Sequence, residues 1–216
     1  MATSQGRRVA VVGCEAADIA AFTRNLAAAL VREGRDVVRL DERSDLIPGW
    51  RQGDGKLILI HAALDSQGAL SPAAADADHI LVVLQAHAES IKASYTCIKR
   101  LSANHALRCL RVLVEGAADS SEAQRILANL AHAGRRYLSL ALDPAGWVRA
   151  DPHLASSERL NVTVVDAFQN SPAARDYRHV ACGLLQWPQV RQVGQVDLRY
   201  PPVAAEQRGP GELALH

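Results

Sequence analysis

Five short, nearly uninterrupted runs of aliphatic residues recur along the first half of the chain, and helical spacing fills most of the gaps between them. The runs are Val9-Ala10-Val11-Val12, Val37-Val38-Arg39-Leu40, Leu57-Ile58-Leu59-Ile60, Ile80-Leu81-Val82-Val83-Leu84 and Leu110-Arg111-Val112-Leu113-Val114; a sixth, Val162-Thr163-Val164-Val165, follows later. A strand that faces water on one side alternates apolar and polar residues, so continuous runs of this length fit strands covered on both faces. Between them, Ile19, Phe22, Leu26 and Leu30 fall on one stripe, and Gly34 supplies a stop signal. A second helix is expected from about residue 90 to 101, with Ile91, Ile98 and Leu101 on one side. Asp119-Ser120-Ser121-Glu122 has the spacing of a capping box and opens a third helix through Ile126, Leu127 and Leu130. Ser171-Pro172 opens a fourth, since Ser suits the N-cap and Pro the first helical position. Strands alternating with helices predict an α/β fold with a mainly parallel sheet flanked by helices on both faces.

The chain of 216 residues is 49% apolar and 22% charged, which excludes wholesale disorder and a disulfide-stapled miniprotein. Twenty-four basic residues against 23 acidic leave a formal charge of +1, so there is no electrostatic footprint for nucleic acid. Cys14, Cys97, Cys109 and Cys182 lie far apart and form no Cys-x-x-Cys. With no signal-peptide pattern at the N-terminus, they read as free thiols of a cytoplasmic protein. No apolar run approaches the ~20 residues of a spanning helix. We expect one α/β domain over residues 1–188 and an irregular, partly mobile tail over 189–216, where Pro201-Pro202 and Gly209-Pro210-Gly211 break any helix. That tail cannot grow the amphipathic face a membrane anchor needs, so no stable membrane association is expected. Residues 41–56, with three glycines and one proline, read as an exposed connection. Within it, Trp50 is either folded back or offered to a partner.

In an open parallel sheet the ligand site lies at the carboxyl ends of the strands, and the first turn there reads Gly13-Cys14-Glu15-Ala16-Ala17-Asp18-Ile19-Ala20. A phosphate cradle uses several glycines, a lysine and a magnesium-binding hydroxyl. Here there is one glycine, no lysine and two carboxylates. Eight histidines include no His-Glu-x-x-His, and His105 with Cys109 is the one pair at helical spacing, so no metal site is expected. No Gly-x-Ser-x-Gly elbow is present. Arg135-Arg136 reads as a solvated corner and Trp147 as packing.

The run RVAVVGCEAADIAAFTRNLAAALVREGRDVVRLDE nevertheless resembles the opening of the MinD/ParA-like P-loop ATPases: strand, deviant Walker A loop, helix with Asn-Leu-Ala, second strand ending in Asp. His79 to Leu101 resembles a later strand and helix of that family. The closing stretch, with Asp151-Pro152, an expected strand at Val162, Asn170-Ser171-Pro172-Ala173-Ala174 and Trp187-Pro188, is similar to the flagellar-number regulators often called FlhG or FleN. The likeness spans about residues 8–188. By that resemblance, with Asn25 as the family's helix Asn, the phosphate-binding lysine falls at Ile19, the magnesium-binding hydroxyl at Ala20, the preceding glycine at Asp18 and the signature lysine at Cys14. Asp41 matches the first Asp of the second strand, Arg43 replaces a water-orienting Asp, His61 stands for the carboxylate that supports magnesium, and Glu115 replaces an adenine-contacting Asn.

With the cations gone and carboxylates left behind, a triphosphate meets uncompensated repulsion. The expectation is therefore an ATPase-deficient regulator, with no cofactor and no ATP-dependent dimer, that binds a protein partner in control of flagellar assembly or number. The resemblance implies as partner the SRP-type flagellar GTPase or a flagellar transcription activator. The alternatives are a nucleotide hydrolase with an unconventional site using Asp41 and His61, and an accessory protein of cellulose secretion in the same superfamily.

Overall fold

The computed structural model describes residues 6–14, 19–42 and 56–188. Six parallel strands, β1 (Arg7–Gly13), β2 (Val37–Asp41), β3 (Leu57–Ala62), β4 (His79–Gln85), β5 (Cys109–Ala117) and β6 (Ala141–Arg149), lie in the order β2-β3-β1-β4-β5-β6. The expected fold class is the observed one. Helices α1 (Ile19–Arg32), α6 (Val164–Ala167) and α7 (Pro172–Leu185) cover one face. The other face is covered by α2 (Pro72–Ala75), α3 (Ala88–His105) and α4 (Ser120–Ala133), and α5 (Pro152–Arg159) bridges β6 to the closing helices.

The aliphatic runs sit where continuous runs belong. Val9 to Val12 are fully buried, with Val9 and Val11 facing α1 and Ala10 and Val12 facing the opposite layer. In α1 the stripe Ile19, Phe22, Leu26 and Leu30 is buried, each large side chain stabilising the fold by about 1.5–3 kcal/mol. Gly34 ends the helix with φ +76°, in the left-handed region that a side chain disfavours. The capping signals act as expected. Asp119 accepts the Glu122 amide at 2.9 Å, and Ser171 accepts the Ala174 amide at 3.2 Å.

Two expectations fail, and they are linked. Val162 to Val165 is not a strand: Asn161 turns the chain at φ 53°, Thr163 caps the Asp166 amide, and Val164 and Val165 enter the core from the short helix α6. The Val164 amide, which a strand would give to a neighbour, donates instead to Asn25 Oδ1 at 2.8 Å. The sixth strand lies earlier, at Ala141–Arg149, across Pro144 and Gly146. Proline cannot donate to a ladder and is tolerated at a sheet edge, and β6 is the edge strand, with a register irregularity between Val112 and Leu113 of β5 opposite. The connection at 43–55 and the tail at 189–216 lie outside the described residues, so Arg43, Trp50 and the tail receive no structural account.

Candidate functional site

The chain leaves β1 toward β2 on one side, and from β3 it crosses to β4 on the other. The carboxyl ends of β1, β3 and β4 therefore flank the switch point where open α/β sheets bind ligands. On this rim stand Cys14 after β1, Asp41 and Glu42 at β2, His61 at β3, Gln85 at β4, and Glu115 at β5. Asp18 lies outside the described residues, as do Glu15, Ala16 and Ala17.

The residues that begin α1 show what replaced the phosphate-binding pair. Ile19 is 5% exposed and packs in the core beneath the helix, while Ala20 is exposed and carries no hydroxyl. Neither offers a cation or a magnesium ligand. Asn25, one and a half turns further, holds α6 through Val164 and donates its amide back to the Ala21 carbonyl at 3.0 Å. Its place in the architecture is a tie between helices.

At β2 and β3, His61 is nearly buried, and its Nδ1 lies 3.3 Å from Asp41 Oδ1. The pairing follows from register, since Asp41 and His61 are Cα partners at the ends of adjacent strands. Glu42 is committed elsewhere: its carboxylate accepts the Ala63 amide at 3.1 Å and the Ser71 hydroxyl, which also caps α2. Of the positions expected at the site, the structure thus joins Asp41 with His61 and leaves Cys14 on the opposite face of the sheet, in the cluster beneath α3.

Glu115 is the most fully engaged rim residue. Its Oε2 accepts the Gln85 side-chain amide at 2.9 Å and its Oε1 accepts the Tyr177 hydroxyl at 2.7 Å. Tyr177 is completely buried, and burial first, then the Glu115 carboxylate, pushes its phenol well above the usual value of 10.0. It is therefore a donor at any pH the fold survives. Gly116 beside it has φ +77°, and a Cβ there would stand 2.8 Å from Gln85 Oε1, so the backbone conformation makes room for the Gln85–Glu115 bond. Neither Gln85 nor Tyr177 is visible as a site residue in the sequence, because their roles come from the ends of a different strand and a distant helix.

Around β6, Arg149 grips Asp176 of α7 through two bonds of 2.7 and 2.9 Å and lies 5.0 Å over the Trp147 ring. Trp147 thus packs, as expected. His105 Nε2 accepts the Leu70 amide at 2.9 Å, and the Cys109 thiol faces Asp143 at 3.3 Å, so this pair is spent on separate contacts. Arg135 and Arg136 are exposed on a π-helical turn, Gly134–Leu138. Among the described residues no group of three or more His, Cys, Asp or Glu could hold a metal ion, and no helix is long and apolar enough to cross a membrane.

A parallel sheet in this order, helices on both faces and a strand–loop–helix opening at the switch point define a P-loop NTPase-like α/β protein. Solved structures agree. The MinD cell division protein of Aquifex aeolicus superposes with a TM-score of 0.63 at 14% identity, over 86% of this chain and 100% of that one. The cell division ATPase MinD of Pyrococcus furiosus superposes with a TM-score of 0.59 at 13% identity, over 83% of this chain and 98% of that one. Identities this low speak for the fold alone. No protein-family model matches the chain. In sequence, the antiactivator FleN of Pseudomonas aeruginosa is 29% identical over 112 residues, 52% of this chain, and the match spans 40% of FleN's own length. Fold and sequence together make this chain a MinD/ParA-like protein of the branch that includes FleN.

Proposed function

We propose that this protein is an ATPase-deficient MinD/ParA-like regulator that works by binding another protein, in control of flagellar assembly or number. The observation that carries the reading is the start of α1. Where the resemblance places the phosphate lysine, a buried isoleucine fills the core, and no lysine stands anywhere between Gly13 and Ala20. Phosphoryl transfer rests on cations that meet the charge developing on the transferred group, each worth roughly 1–4 kcal/mol at contact range near a protein surface. The other rim positions add no cation: Glu115 is held by Gln85 and Tyr177, and His61 turns its Nδ1 to Asp41. Cys14, Asp18, Ile19, Ala20, Asp41, Arg43, His61 and Glu115 are, in this reading, the degenerate remains of a nucleotide site.

The likeness to an antiactivator supports a protein partner, and a flagellar transcription activator fits it better than an SRP-type flagellar GTPase does. Calorimetric titration of the full chain with ATP and magnesium is expected to give no saturable heat, while the immobilised chain retains a purified flagellar activator. Saturable nucleotide binding with turnover would overturn the first half, and failure to retain the activator the second. A second reading rests on the Asp41–His61 pair, whose geometry suits a base held by a carboxylate. It requires hydrolysis that Asp41→Ala abolishes.

A further inference from the structure

Two of the four thiols meet. Cys14 ends the first strand on the face that carries Ala10 and Val12, and it is 3% exposed in the cluster beneath α3. Cys97 precedes Ile98, a fully buried member of the same cluster, and packs against that cluster from α3 while staying half-exposed. The two side chains are hydrogen-bonded to each other. We propose that Cys14 and Cys97 form an oxidisable dithiol, a modification site that takes a hydroperoxide as its oxidant and closes to an intramolecular disulfide. One partner is reachable from solvent and the other waits behind it, the arrangement that lets an oxidised sulfur be resolved within the molecule.

The chemistry balances on these two residues. The Cys97 thiolate attacks one peroxide oxygen, the O–O bond breaks, and the departing hydroxide takes up a proton, leaving Cys97 as the sulfenic acid. The Cys14 sulfur then attacks the Cys97 sulfur, the S–O bond breaks, and the hydroxyl leaves as water with the Cys14 proton. Two thiols lose two hydrogens, and two electrons pass to the peroxide. The environment selects this pair against exposure. The hydrogen bond from Cys14 draws the Cys97 thiol below its ordinary 9.0 despite burial, with help from Arg100. The exposed Cys109 is pushed up to about 11 by desolvation and by Asp143, and the exposed Cys182 is raised by desolvation and by Glu33. Since the thiolate is the nucleophile, the two most accessible thiols are the slower ones. The new bond would pin the residue from which the chain enters positions 15–18 to helix α3.

The test treats the reduced full chain with hydrogen peroxide, counts free thiols in denaturant and maps disulfides without reduction. The expected result is a fall from four thiols to two, a Cys14–Cys97 linked peptide, and full reversal by dithiothreitol. Cys14→Ser should stop at a Cys97 sulfenic acid that dimedone traps, and Cys97→Ser should form no intramolecular disulfide. Four thiols persisting at peroxide levels that oxidise free glutathione would overturn the proposal. So would a disulfide between other positions, or prior oxidation of Cys109 or Cys182, and each of these readings stands on the wild-type chain even if a variant fails to fold.

Discussion

Tyr177 brings a phenol into a fully buried position, and such a group is tolerated because its hydroxyl has a charged acceptor. The bond to Glu115 joins α7 to the end of β5, so the carboxylate at the rim is part of how the last helix docks. Tyr177→Phe keeps the packing against Phe22, whose ring centroid is 5.6 Å away, and removes the donor. We expect it to lower the unfolding free energy by about 1–3 kcal/mol, measured by urea denaturation, because Glu115 Oε1 loses its partner in a partly desolvated site. Unchanged stability would mean that the carboxylate finds a replacement donor at no loss. The sequence marked Glu115 as a departure from an ATPase pattern, a statement about what the residue no longer touches. What it does touch is set by a residue 62 positions away, which no local pattern announces.

Helix α7 is seated by side chains that act on its first turn. Ser171 caps it, and the buried Asp151 carboxylate accepts the Ala173 amide at 2.9 Å while its other oxygen takes the His153 amide and ring nitrogen, both at 2.9 Å. Burial alone would raise the Asp151 pKa, but the amides of Ala173 and His153 and the His153 ring outweigh it and hold the carboxyl below the usual 3.8. The folded state therefore binds this proton less readily than the unfolded chain. The stabilisation is complete well above 3.8, and it is lost as pH falls below that value through the lower folded pKa. Acid unfolding followed by circular dichroism should show Asp151→Asn with a shallower acid limb than wild type below about pH 4. An unaltered limb would remove Asp151 from that role.

At this scale much was legible. The five aliphatic runs and all four capping or stop signals name real element boundaries, because burial on both faces and amide capping are local demands on sequence. The misplaced sixth strand shows the limit. Val162 to Val165 has the composition of a strand, yet Asn25 of α1 and the Thr163 cap decide its shape, whereas Ala141–Arg149 carries a proline and a glycine that an edge position tolerates.

For the molecule as a whole, the absence of a lysine at Cys14 bears on assembly. In the MinD/ParA-like family, by the resemblance, two subunits close face to face around bound ATP with that lysine reaching across. Here Cys14 is buried toward α3 and has no reach to a partner. Light scattering after size exclusion is expected to give one mass with and without ATP and magnesium. Conversion of monomer to dimer on adding nucleotide would refute this, while a dimer present in both conditions would leave it standing.

The opposite pole of the sheet has its own consequence. Arg7, the first residue of β1, donates to the carbonyls of Leu184 at 2.8 Å and Trp187 at 2.9 Å, and His79, the first of β4, bonds the Pro188 carbonyl at 2.9 Å. Arg111 lies 4.3 Å over the Trp187 ring beside them. Both ends of the described body are thus fastened at one point, under the amino ends of the strands and a full strand length from Cys14, Asp41, His61 and Glu115. A surface, a resin or a reporter attached through either end holds the molecule by its base and presents the same rim outward, so tethering chemistry and the search for a binding partner need not compete for one face.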